Sequence, residues 1–199
     1  MPRKSTWLTP KYIVLVLAVV GIGGLLYGQI AHWMSLNQHY QDLERALQRQ
    51  AWSSSDSITR DLALQLTGAT LELTSDHFAR LPCRDVLKID RLWQTYSNDR
   101  FGFTPQHQLW LSQGGQVNRA TDRAMAQAMG WVRPEYPNDS FDYPTQAQYV
   151  SLQSPPGHLP FHLYCCLGDA HKSLWHLDDR VVLSTLAQRY DQCLQESTP

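Results

Sequence analysis

Charge is scarce in this chain of 199 residues, and what there is nearly cancels: charged residues make up 18% and the net charge is −1. No basic stripe runs through it, which argues against nucleic acid as a partner. Cysteine is thin as well, with only Cys83, Cys165, Cys166 and Cys193. None has the two-residue spacing of a zinc or thioredoxin-type motif, and no Cys-x-x-Cys-His run offers covalent haem attachment. Cys165 and Cys166 are adjacent, a geometry that disfavours a bridge between the two. The even number is compatible with an oxidising compartment and does not demand one. A thiol hydrolase would pair Cys83 with a histidine and a third orienting group, and spacing identifies no such third residue. An enzyme is therefore the poorest reading, with no required cofactor. Internal repeats and low-complexity tracts are also missing.

What is there is apolar and aromatic. Hydrophobic residues make up 43%, enough for one packed domain, and seven Trp and nine Tyr are many for this length. Most such rings fill a core, but flat apolar ligands are bound by the same residue types.

Tyr12 to Ala31 carries no charge. A bilayer is crossed by roughly 20 such residues as a helix. Trp7, Tyr12, Tyr27 and Trp33 stand near its ends, where amphipathic rings favour the interface. The run is long for a secretory signal and lacks a clean cleavage site, so an uncleaved anchor is the better reading. Arg3, Lys4 and Lys11 precede it, while Arg45 and Arg49 beyond it are mixed with Asp42 and Glu44. The positive-inside rule puts the N-terminus in the cytoplasm and the rest across the membrane. The expected organisation is a basic cytoplasmic flank at 1–11, a transmembrane helix at 12–31, a stalk at 32–42 and a helical domain at 43–196.

Within that domain, Ser53–Asp56 offers N-cap oxygens for a helix carrying Ile58, Leu62 and Leu66 on one face, with Gly68 as C-cap. A helix opens at Asp76–Arg80, and Pro82 suits the first turn of the next. After a turn at Ser97–Asp99, Thr104 and Pro105 read as N-cap and first residue of a helix through Leu111, stopped by Gly114–Gly115. Thr121–Met129 forms a further helix, and a short one follows Pro160. Val182, Leu183, Leu186, Tyr190, Cys193 and Leu194 mark a last amphipathic helix. The fold class is mainly α, with at most a two-stranded ribbon.

Five blocks occur in order: Trp52–Leu66 with its W…SD…T…L pattern, LPCRDVLKIDRLW, FGFTPQHQLW, GWVR and PPGHLP. Together they resemble the core of the genomes-uncoupled tetrapyrrole-binding family, whose members bind porphyrins and stimulate magnesium chelatase. The resemblance implies a helical domain shaped like a cupped hand whose concave face holds a tetrapyrrole, with no catalytic role. It also implies a cyanobacterial or plastid source, hence a single-pass protein of a thylakoid or plasma membrane. The expected partners are a tetrapyrrole such as a porphyrin or its magnesium complex, and a magnesium chelatase subunit or a membrane complex.

A porphyrin is a flat apolar disc with anionic propionates on one edge. It needs an apolar floor and cationic or hydrogen-bonding groups at the rim. Phe101, Phe103, Trp131 and Leu152 are floor candidates; Arg133 and His158 are rim candidates. The family's tryptophans in the loop after GW are replaced here by Tyr136, Phe141 and Tyr143, and its arginines after GHLP are missing. Plainer roles stand beside these. An FGF turn between helices plugs a core, Trp110 reads as core, and His158 fixes the bend from Gly157 to Pro160. His107, His158 and His162 are either axial ligands of a metalloporphyrin or hydrogen-bonded structural residues. Cys165 and Cys166 offer thioether attachment to a vinyl group without a supporting motif. Were the same concave face kept for protein contacts, the chain would be a tethered scaffold without pigment.

Overall fold

Glycine and asparagine end several helices where local chemistry places them, but two of the helices begin on residues far away in the chain. A computed structural model describes residues 10–131, 150–164 and 181–197, the side chains of 10–23, 25 and 26 excepted. Among the described residues it is helical, with no strand: α1 Pro10–Gln48, α2 Trp52–Thr67, α3 Ser75–Ala79, α4 Cys83–Ser97, α5 Phe103–Ser112, α6 Arg119–Ala128 and α7 Leu183–Ser197. The chain divides into two units, Met1–Gln38 and His39–Pro199.

The residues expected as a stalk, 32–42, belong to α1, which runs unbroken from Pro10 to Gln48. Tyr27, Ile30, Trp33 and Met34 on it are exposed. Among the described residues no helix is long and apolar enough to cross a membrane. The span expected at 12–31 lies mostly among side chains that are not described.

In the second unit, Tyr40, Leu43 and Leu47 at the end of α1 are buried, the spacings of three and four giving one inward stripe. Gly68 ends α2 in the left-handed conformation, as expected of a C-cap glycine. Asn98 does the same for α4. The N-cap expected at Ser53–Asp56 is corrected: α2 already starts at Trp52, behind Ala51, and no side chain caps it. This frees Asp56, fully inside, for a distant partner. Thr74 and His77 cap α3 reciprocally. No helix follows Pro160 as far as Tyr164.

Thr104 is not the cap of α5 either. Gly102 holds the N-cap position without a side-chain bond. The cap comes from α4, where Asp90 Oδ1 accepts from the backbone N–H of Phe103 at 2.7 Å and of Thr104 at 2.9 Å. Asp90 Oδ2 accepts from Thr104 Oγ1 at 2.8 Å, from Tyr190 Oη at 2.7 Å and from Gln94 Nε2. Asp122 on α6 does the same for α7. Its carboxylate accepts from Val182 N at 2.8 Å, Leu183 N at 3.0 Å and Ser184 N at 2.8 Å, and from the Ser184 hydroxyl. Burial pushes the Asp122 carboxyl above the usual range, and the four donors oppose that.

α7 is further tied to α4 by a Cys83–Cys193 disulfide with Cα atoms 5.0 Å apart and 110 residues of sequence between. Closing a loop that long stabilises the fold by about 4–5 kcal/mol in the chain-entropy account.

The Asp90 cap depends on Gly102. Its φ of +117° is disfavoured for a side-chain-bearing residue, and a Cβ there would stand 2.7 Å from Asp90 Oδ1. Gly102→Ala should destabilise the protein by about 2–4 kcal/mol in urea unfolding, combining backbone strain with displacement of the cap. Asp122→Ala strands three backbone N–H groups of α7 and should cost about 3 kcal/mol by the same measurement. A loss under 0.5 kcal/mol for either variant would contradict the capping account.

Candidate ligand-binding site

The blocks FGF, GW and PPGHLP are far apart in sequence and meet in space. Gly102 N donates to Leu159 O and Gly157 N donates to Arg100 O, each at 2.9 Å. The Arg100 guanidinium reaches back, Nε to Ser154 O at 2.7 Å and Nη2 to Gln153 O at 3.3 Å. Gln106 on α5 donates from Nε2 to Gly157 O at 3.0 Å and to Pro160 O at 3.1 Å, and its Oε1 accepts from Tyr164 Oη at 2.8 Å. From the other side, Trp131 Nε1 donates to His158 O at 2.9 Å, and His158 Nδ1 lies 2.8 Å from Met129 O. A carbonyl only accepts, so Nδ1 carries the proton. Burial pushes the His158 pKa down, and the bond to Met129 partly opposes this. In this fold His158 ties the Gly157–Pro160 bend to the end of α6.

Asp56 completes the frame. It is fully buried, and its Oδ1 accepts from Phe161 N at 2.8 Å and His162 N at 2.9 Å. The His162 ring stands beside it, Nδ1 3.4 Å from Asp56 Oδ2 and 3.2 Å from Ser57 Oγ. The grouping has the residue types of a hydrolytic triad without its geometry. Both contacts use the same ring nitrogen, and Ser57 Oγ donates to Ser53 O at 3.2 Å. Its proton therefore has no base to go to. Cys83 is committed to the disulfide, which removes it as a thiolate.

Three of the four floor candidates, Phe101, Phe103 and Trp131, were open to a core reading as well. Phe101, Phe103 and Trp131 are all buried, in three different ring clusters. Phe101 packs edge-on to Trp52 at 5.3 Å and Trp93 at 6.3 Å. Phe103 meets Tyr190 at 6.4 Å, near His107, whose ring lies 5.6 Å from that of Trp110. Trp131 packs on Phe161 at 4.7 Å and Tyr164 at 5.6 Å. Leu152 is half-buried in the turn before Ser154. Arg133, Tyr136, Phe141 and Tyr143 lie outside the described residues, as do Cys165 and Cys166.

Among the other histidines, His107 Nε2 lies 3.0 Å from Asp191 Oδ1, which makes it a link between α5 and α7. Among the described residues no group of His, Cys, Asp and Glu side chains is arranged to hold a metal ion. A cleft of about 550 Å³ lies between α4 and α7, with Asp90, Arg91, Gln94 and Asp99 on one wall and Tyr190 and Leu194 on the other. It is more polar than apolar, unsuited to a porphyrin face. Sequence reasoning missed Asp56, Asp90, Asp122 and Gln106 as site builders. The only signal available was acidic or amide residues at inward-facing helix positions.

This helical arrangement defines the class of fold. The ligand-free structure of Arabidopsis thaliana GUN4 shares it with a TM-score of 0.51 and 19% identity, covering 76% of this chain and 90% of that one. The GUN4-like family profile matches residues 34–173, and the chain belongs to that family. Among curated relatives, the uncharacterised protein ycf53 of Pyropia yezoensis is 31% identical over 126 residues, 61% of this chain and 49% of its own. A Ycf53-like protein of Synechocystis is 30% identical over 129 residues, 61% of this chain and 50% of its own. The chain spans about half the length of the curated relatives it matches.

Burial pushes the Asp56 carboxyl up from its ordinary 3.8 to about 6, against the pull of His162 and the two backbone N–H groups. The folded state therefore holds a proton that the unfolded chain has released between those values. This contribution to stability is full below about pH 4 and lost as pH rises through about 6. Carbon-detected NMR should place the Asp56 titration near pH 6. Asp56→Asn, which keeps an acceptor oxygen, should flatten the stability profile between pH 4 and 6. A midpoint below 4.5 would contradict the burial argument.

Proposed function

We propose that this chain is a membrane-anchored, non-catalytic tetrapyrrole-binding regulator, linked to chlorophyll or other tetrapyrrole synthesis or trafficking. Family membership supports this reading, and one structural observation carries it. Arg100, Gln106, Trp131 and His158 lock FGF, GW and GHLP, the blocks on which the family resemblance rests, into a single frame. On this reading the ligand is met by Arg133, Tyr136, Phe141 and Tyr143, with Leu152 at the edge. Phe101, Phe103, Trp131 and His158 support it from behind. The guanidinium pairs with a propionate and the aromatic rings cover the disc. The anchor is the apolar run 12–31, and the exposed Tyr27 and Trp33 suit a membrane interface. The protein partner is a magnesium chelatase subunit if the domain faces the cytosol or stroma, and a membrane complex if it lies across the membrane.

A second reading is favoured by one observation, the burial of the three rings that a floor would have needed. It makes the chain a membrane-tethered scaffold that uses the same face for a protein partner, without pigment.

Titration of the purified protein with protoporphyrin, its magnesium complex, haem and a bilin separates the two. Tryptophan quenching and a shifted absorbance band should saturate at micromolar ligand, and Arg133→Ala should weaken binding of dicarboxylated porphyrins about tenfold, or about 1.4 kcal/mol. No change with any pigment, together with a membrane complex that co-purifies, would establish the scaffold instead. For the anchor, the protein should stay in the membrane pellet after alkaline carbonate extraction, and deletion of 12–31 should release it.

A further inference from the structure

The disulfide has no role in the frame, yet it joins the two helices whose mutual position everything else assumes. Cys83 opens α4 and Cys193 lies in the last turns of α7, with Cα atoms 5.0 Å apart, inside the range that a bridge requires. Polar ties beside it set the same alignment. Arg189 Nε donates to Leu81 O at 2.9 Å, and Tyr190 Oη donates to Asp90 Oδ2 at 2.7 Å. The fold thus presents the two sulfurs to each other. Cys193 has no exposed surface and Cys83 is half-buried, so once formed the bond is sheltered from exchange. Such long-range structural bonds form and persist in oxidising compartments and are rare where glutathione and thioredoxin keep thiols reduced. The charges around the apolar run point the same way by an independent physical effect. Arg3, Lys4 and Lys11 precede it, and the first basic residues beyond it, Arg45 and Arg49, are offset by Asp42 and Glu44.

We propose that His39–Pro199 folds and works in an oxidising compartment, on the face of the membrane opposite the N-terminus, with Cys83–Cys193 as its structural bond. The sidedness rests on the membrane-anchored reading; the oxidising environment does not. Bond formation removes two protons and two electrons from the two thiols, and a disulfide-bearing oxidoreductase of that compartment takes them up. A consequence for partners follows. An enzyme that inserts magnesium on the cytosolic or stromal side is out of reach, and the partner is a membrane complex or a pigment presented at the far face.

The test uses the full chain in bacterial cells, with Cys165→Ser and Cys166→Ser so that only two thiols report. Cells are quenched in acid and alkylated with a polyethylene-glycol maleimide before and after reduction. No adduct is expected before reduction and two after it; Cys83→Ser should give one adduct without reductant. Two adducts before reduction would overturn the proposal. In a second arm, alkaline phosphatase or a green fluorescent protein is fused after Pro199. Active phosphatase and a dark fluorophore are expected, and a bright fluorophore with inactive phosphatase overturns the sidedness. Carbonate extraction distinguishes the underlying reading. A chain that leaves the membrane with its bond formed sinks the anchor and keeps the oxidising compartment. A chain that leaves it with free thiols sinks both, and one that stays in the pellet with free thiols sinks only the present proposal.

Discussion

Buried carboxylates that cap distant backbone are the constraint on which this fold depends. Asp56, Asp90 and Asp122 sit on three helices and are nearly or wholly inaccessible to water. Each is surrounded by N–H groups of another segment: residues 161 and 162, the start of α5, and the approach to and start of α7. An ionised carboxylate in such a place is tolerable only if donors replace the water it has lost. Conversely, a helix start buried against another helix needs an acceptor, and negative charge suits the positive end of its dipole. The Asp90 and Asp122 caps satisfy both requirements at once, and Asp56 the first. α5 could not begin at Phe103 without Asp90, and α7 could not be seated without Asp122.

These caps fix the relative placement of the FGF turn and the GHLP segment, and the frame between them follows. Asp90 holds the N–H groups just after Gly102, whose own N–H is bound to Leu159; Asp56 holds the N–H groups just after Pro160. The segment from Arg100 to Gln106 is therefore clamped against 157–162 from both ends. Trp131 and His158 extend the clamp to the end of α6. Rings near such a clamp are drawn into packing, which is why Phe101, Phe103 and Trp131 are buried.

Much of the helical architecture was legible beforehand. Helix ends at Gly68, Asn98 and Gly114 follow from backbone freedom at single residues, and the inward stripes of α4 and α7 follow from periodicity. The core roles of Phe101, Phe103 and Trp110 were among the readings open from residue type. Helix starts were read less well. Ser53–Asp56 and Thr104 have the chemistry of caps, but Asp56 and Asp90 are used across more than ten residues of sequence, and side-chain preference carries no information about a partner brought close by folding. The pairing of Cys83 with Cys193 across 110 residues was open for the same reason.

The sequence by itself determined that the chain is helical, that it carries a long uncharged run near its start, and that it belongs to the GUN4-like family, because composition, periodicity and ordered motifs are properties of neighbours along the chain. Only the tertiary structure decided which acids lie inside, which N–H groups they serve, which rings are buried and which two cysteines meet. Those depend on burial, and burial is settled by segments that share no local sequence and come together only when the whole unit folds.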